Sequence, residues 1–160
     1  MISLFCIPFS TGQRYKRVYL LYEPDVDQKI DLDIVLIHGL HGSCDRTWRE
    51  AKKNILWPRD WLPKDLSSRE IKVRVLSVAY NYEIVPTPVG GSGKDESRKK
   101  EEPVNMVEFD FESPASEVLQ SLLDAHVGKR PVVFLTHGAG GLILKKVLLT
   151  TRSQHNADPK

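Results

Sequence analysis

The sequence predicts an α/β domain built on a mostly parallel, doubly wound sheet with helices on both faces. Three observations predict it. Two apolar runs, Asp33-Ile-Val-Leu-Ile37 and Val132-Val-Phe-Leu135, have the unbroken hydrophobicity of strands covered on both faces. Each run leads into a histidine and a glycine-bearing loop, His38-Gly-Leu-His-Gly42 and His137-Gly-Ala-Gly-Gly141. The segments around them alternate between strand-like and helix-like patterns, which implies right-handed crossovers and parallel strands.

The elements follow in order. Arg17-Val-Tyr-Leu-Leu-Tyr22 is rich in β-branched and aromatic residues and precedes Pro24, so it reads as an early strand. The run at 33–37 is the next. Residues 57–66, Trp-Pro-Arg-Asp-Trp-Leu-Pro-Lys-Asp-Leu, favour helix, but two prolines keep it short. Lys72 to Tyr80 alternates and then turns apolar, a third strand. From Pro86 to Asn105 come three prolines, Gly90-Gly-Ser-Gly93 and a mixed-charge run, a composition expected of a flexible insertion. Ser113-Pro114 suits a helix start, with Ser113 as N-cap. Val118, Leu119, Leu122, Leu123 and Val127 give that helix an apolar stripe, and Gly128 is expected to stop it. A strand over 132–135 and a helix from Leu142 to Leu149 complete the pattern. The expected organisation is an N-terminal strand region over 1–30, an α/β domain over 31–150 with its insertion at 86–105, and a polar tail over 151–160.

Bulk properties narrow the function. At 160 residues the chain fits one domain with a real core. It is 41% hydrophobic and 28% charged, and its 23 basic and 21 acidic residues nearly cancel. That balance gives no support to nucleic-acid binding or to electrostatic membrane attachment. The two cysteines, Cys6 and Cys44, have neither metal-ligand spacing nor a secreted disulfide framework, which favours a reducing compartment. No run approaches a membrane span. Met1 to Phe9 is apolar but short and lacks a basic flank, so it reads as a strand or tail rather than a signal peptide.

The chemistry lies in the two loops, about a hundred residues apart in sequence. In open α/β sheets ligands bind at the carboxyl ends of the strands. Thr136-His-Gly-Ala-Gly140 stands between a strand and a helix, the setting of a Gly-x-Ser-x-Gly nucleophile elbow, but its central residue is Gly138. Such a site needs two backbone N–H groups aimed at a developing oxyanion. Leu40 and Ala139 occupy the two matching places, and Gly39, Gly42, Gly140 and Gly141 let the backbone approach closely. The alternative is that both loops are tight strand-to-helix turns of another doubly wound fold.

Other candidates are weaker. His38 and His137 are read as structural imidazoles bonded to nearby backbone rather than as catalytic bases. His126 suits the end of a helix, and His155 lies in the polar tail. Ser43 and Cys44 could substitute as nucleophiles, yet no base–acid pair is identifiable for either. Trp48, Trp57 and Trp61 are read as packing residues. Pro88 to Asp95 ends in Gly93-Lys94 but lacks the first glycine and the final Ser/Thr of a phosphate loop.

Several segments together resemble one family. They are Asp33 to Gly42, Thr47-Trp48, Trp57 to Leu66, Arg130 to His137, and Gly140 to Leu149. In these the chain resembles the serine-active-site-containing (lipase-like) family of α/β-hydrolases. The resemblance implies an α/β-hydrolase fold, truncated here, and lipid-linked work: phosphatidylglycerol remodelling and cholesterol trafficking where mitochondria meet the endoplasmic reticulum. It implies a mitochondrial or endoplasmic-reticulum setting, a lipid or acyl-ester ligand and peripheral membrane contact; apart from it the expected setting is cytoplasmic, and neither cofactor nor metal is expected. The family has Ser where this chain has Gly138, and it carries a downstream acid and His. The expectation is therefore a catalytically deficient hydrolase domain. Two alternatives stand beside it: an active esterase with an unusual nucleophile or completed by another chain, and a non-enzymatic interaction module.

Overall fold

A computed structural model describes residues 14–15, 17–81, 84–87 and 106–157. Nine strands lie along them: β1 (Arg14–Tyr15), β2 (Val18–Tyr22), β3 (Leu32–Ile37), β4 (Arg49–Glu50), β5 (Ile55–Leu56), β6 (Val73–Val78), β7 (Ile84–Thr87), β8 (Met106–Phe109) and β9 (Val132–Thr136). The helices are α1 (Trp57–Asp60), α2 (Leu62–Ser67), α3 (Glu112–Asp124) and α4 (Gly140–Ala157). A five-stranded sheet runs β1-β2-β6-β3-β9. β3 pairs in parallel with both β6 and β9, while β2 joins β6 antiparallel. The sheet is thus mixed, and the strands that carry the two loops are parallel neighbours.

The pleat sorts the core into two layers, because successive side chains point to opposite faces. Val35 and Ile37 of β3, with Leu76 and Val78 of β6, pack against Val118 and Leu122 of α3 and Ile143 and Val147 of α4. Ile34 and Leu36, with Val73 and Val75, face the other way and meet Trp48, Leu56 and the partly buried Leu62 and Leu66 of α2. Burying each such aliphatic side chain contributes about 1.5–3 kcal/mol, so the central strands anchor the fold. Helices cover both faces, as the sequence predicts.

Four local expectations are corrected. α3 starts at Glu112, with Phe111 at the N-cap position, not Ser113. The reason is Asp110, whose Oδ1 takes the Glu112 N–H at 2.8 Å and supplies the cap one residue earlier. α3 ends before Gly128. His126 takes the left-handed conformation at φ 55, and the N–H groups of His126 and Val127 bond Leu123 O and Leu122 O. That pair of bonds is a Schellman stop, and Gly128 lies beyond it. Leu123, counted in the apolar stripe, is exposed. α4 runs Gly140–Ala157, beyond the Leu142 to Leu149 pattern at both ends.

Around the expected insertion, 84–87 and 106–109 pair as the antiparallel ladder β7–β8, which the sequence reading missed. The segments Met1 to Phe9 and 88–105, and the side chain of His155, lie outside the described residues.

Candidate functional site at two adjoining loops

Register places the loops side by side. Ile37 of β3 pairs with Thr136 of β9, and the next residues on each strand open the two loops. His137 N–H donates to Ile37 O at 3.0 Å, extending the ladder one step into the turn. Close approach follows from the glycines. A Cβ on Gly39 would stand 2.7 Å from His137 O, and a Cβ on Gly140 would stand 2.5 Å from both Ile37 O and His38 O. Real Cβ atoms do not sit so close to backbone, so these positions exclude side chains.

Gly138 is different. Its φ is +52, the left-handed region that nucleophile elbows use, and a Cβ there would meet only Gly39 Cα, at 3.9 Å. The turn has the bend of an elbow and room for a side chain, but no side chain. Around it, Gly140 N–H bonds His137 O at 3.0 Å, Gly141 N–H bonds Gly138 O at 3.1 Å, and α4 begins. Among the described residues, no acceptor takes the N–H of Leu40 or of Ala139. The N-terminus of the 18-residue α4 adds its partial positive charge to the same corner. Two unbonded backbone N–H groups and a helix N-terminus on adjoining loops are the components that an oxyanion site requires. Gly138 supplies no attacking atom.

The histidines beside the turn are not arranged as a base. His38 is almost fully buried, with Nδ1 2.8 Å from Gly39 O. Its ring stacks on Tyr80 at 4.5 Å, and Tyr80 Oη donates to His38 O at 2.6 Å. Burial pushes the His38 pKa below its ordinary value; the bond to Gly39 opposes this, and nearby His137 adds to it. A neutral, stacked imidazole locks the first loop, as expected of a structural histidine. His137 is exposed, and no described carboxylate pairs with either ring.

The substitute nucleophiles are also engaged. Ser43 Oγ donates to Asp45 Oδ1 at 3.0 Å and accepts from Arg46 N–H, the first of the short 3-10 turn Arg46–Trp48, at 3.0 Å. Cys44 is buried and disulfide-bonded, against the expectation of a reduced thiol drawn from the cysteine spacing. Trp48 and Trp57 meet edge to face at 6.3 Å in the core, whereas Trp61 is exposed.

One charged pair was missed. Asp33 and Arg74 sit inside strands and form a buried bidentate ion pair of 2.7 and 2.8 Å. Arg74 also donates to Ala125 O at 3.1 Å, tying β6 to the end of α3. The available signal was a charge at the head of each otherwise apolar strand.

Fold and site together define an α/β domain with a glycine at its elbow turn. Comparison with known proteins adds a likeness to proteins named SERAC1. The chain is 30% identical to Protein SERAC1 of Danio rerio over 154 aligned residues, covering 86% of this chain. It is 31% identical to the Homo sapiens protein over 148, covering 82%, and 30% identical to the Mus musculus protein over 157, covering 88%. It spans about a fifth of the length of these relatives. No family profile and no solved structure matches the chain.

Proposed function

We propose that this domain is a lipase-like hydrolase scaffold that binds an acyl ester or phospholipid without hydrolysing it. The observation that carries this reading is Gly138 at φ +52, set against Gly39 and beside the free N–H groups of Leu40 and Ala139. The likeness to SERAC1 supports a lipid-related role, and the proposed setting is the surface of mitochondria or the endoplasmic reticulum. Phosphatidylglycerol is the proposed ligand. No described helix is long and apolar enough to cross a membrane, so contact with that surface is proposed as peripheral.

A fluorophosphonate probe with intact-mass readout tests the catalytic half of the proposal. We expect no adduct on the wild-type chain, and none on Gly138→Ser, because no described carboxylate holds His38 or His137 as a base. An adduct on the wild-type chain that Ser43→Ala abolishes points instead to an active esterase with an unusual nucleophile. An adduct confined to Gly138→Ser shows that the rest of the catalytic machinery is present.

A further inference from the structure

Tyr80 grips the first loop at two points. Ala79 N–H donates to Arg17 O at 2.9 Å, which carries the β2–β6 ladder one residue beyond Val78. Tyr80 therefore emerges on the face that Val78 shares with α3 and α4, and it is buried there. Its ring lies flat on the His38 ring, with centroids 4.5 Å apart and planes 7° from parallel, and its Oη donates to His38 O at 2.6 Å. The same carbonyl rests against the start of α4, since a Cβ on Gly140 would stand 2.5 Å from it.

His38 passes this constraint on. Its Nδ1 donates to Gly39 O at 2.8 Å, and Gly42 N–H donates to the same oxygen at 3.1 Å. The Gly39–Leu40 peptide is trans and planar, so its N–H points opposite to its C=O. Holding Gly39 O on one side thus aims Leu40 N–H to the other, where no described residue accepts it. The Ala139 amide is set within its own turn, because Gly138 O takes Gly141 N–H at 3.1 Å. The first amide depends on His38 and Tyr80; the second does not.

We propose that Tyr80 is a positioning residue of the ligand site: through His38 and the Gly39–Leu40 peptide plane it aims the Leu40 amide at the ligand oxygen that the Ala139 amide also meets. The proposal rests on the acyl-ligand reading of the corner and adds the residue that sets one of its two amides. Tyr80 itself touches no ligand. It keeps a loop amide aimed in advance, so binding need not first order the loop.

The test uses the whole 160-residue chain, ¹⁵N-labelled, with octylphosphonate as the probe and each backbone amide followed by NMR. In the wild type, Leu40 and Ala139 are expected to shift along one curve. Tyr80→Phe keeps the stacked ring and removes the hydroxyl. His38→Phe keeps a ring against Tyr80 and removes the donor to Gly39 O. Each is expected to weaken binding about fivefold, the worth of one net hydrogen bond. Each is also expected to shrink the Leu40 shift at saturation while the Ala139 shift keeps its wild-type size. The double variant is expected to bind no more weakly than the worse single, since both act through one peptide. Val73→Ala empties a buried site at the other end of β6 and is expected to keep wild-type affinity. Thermal midpoints show that every variant is folded. Wild-type affinity in Tyr80→Phe overturns the proposal and leaves the site reading standing. So do equal losses at the two amides, additive losses in the double variant, or a loss in Val73→Ala as large as in Tyr80→Phe. A wild-type chain in which neither amide shifts overturns the site reading and this proposal with it.

Discussion

Gly138 and Gly140 share one turn but answer to different constraints. At Gly140 the obstacle is space, since an added methyl would meet two backbone oxygens at 2.5 Å. At Gly138 the obstacle is only the left-handed backbone, which costs an L-residue about 1–2 kcal/mol. Urea denaturation of Gly138→Ser is therefore expected to show a loss of that size. Gly140→Ala is expected to lose about 3 kcal/mol or more, because the clash is with backbone that cannot swing aside. A reversed order would mean that the turn is not built as described. His38 sets a pH dependence. Its folded pKa is depressed by burial, so below about pH 6.5 the unfolded chain takes up a proton that the folded ring refuses. Stability then falls as pH falls, and is unaffected by this group at higher pH. Comparing the urea midpoints of wild type and His38→Gln between pH 7.5 and about 5 checks this: the variant is expected to have the flatter profile.

At the scale of elements, the Asp33–Arg74 pair joins the heads of β3 and β6, at the end of the sheet away from the loops. Removing Arg74 leaves the buried Asp33 with only the longer contact to the partly exposed Arg130, at 3.6 Å, and strips Ala125 O of its donor, so Arg74→Met is expected to cost about 3 kcal/mol by urea denaturation. The double replacement, Asp33→Leu with Arg74→Met, is expected to recover part of that loss, since no fully buried charge remains and Arg130 can turn to solvent. This pair also marks a limit of reading from sequence. Asp33 opens an apolar run, and only the parallel register reveals the arginine across from it. Element type was legible for β2, β3, β6, β9, α3 and α4, because each carries a sustained apolar run or stripe in the sequence. Element ends were not. Ser113-Pro114 has the composition of a helix start, yet Asp110 captures the first free N–H; Gly128 has the composition of a stop, yet His126 makes the turn. In each case two nearby residues could serve, and packing chose between them.

For the whole molecule, the order β1-β2-β6-β3-β9 makes distant segments adjacent and brings two loops about a hundred residues apart into contact. The loops were legible because apolar parallel strands ending in glycine have few uses, although of the two strands only β3 is buried as expected and β9 leaves Val133 exposed. Their contact was an inference from fold class until the β3–β9 register gave it distances. The disulfide at Cys44 was beyond local pattern, since it depends on what lies across space. The central claim is that two amides, from two loops, converge on one corner beside a vacated elbow. It is tested most directly by titrating octylphosphonate into the ¹⁵N-labelled chain and following each backbone amide by NMR. The account predicts that the Leu40 and Ala139 resonances shift together along one saturation curve. Saturable shifts elsewhere in the chain, with those two amides unmoved, would contradict it.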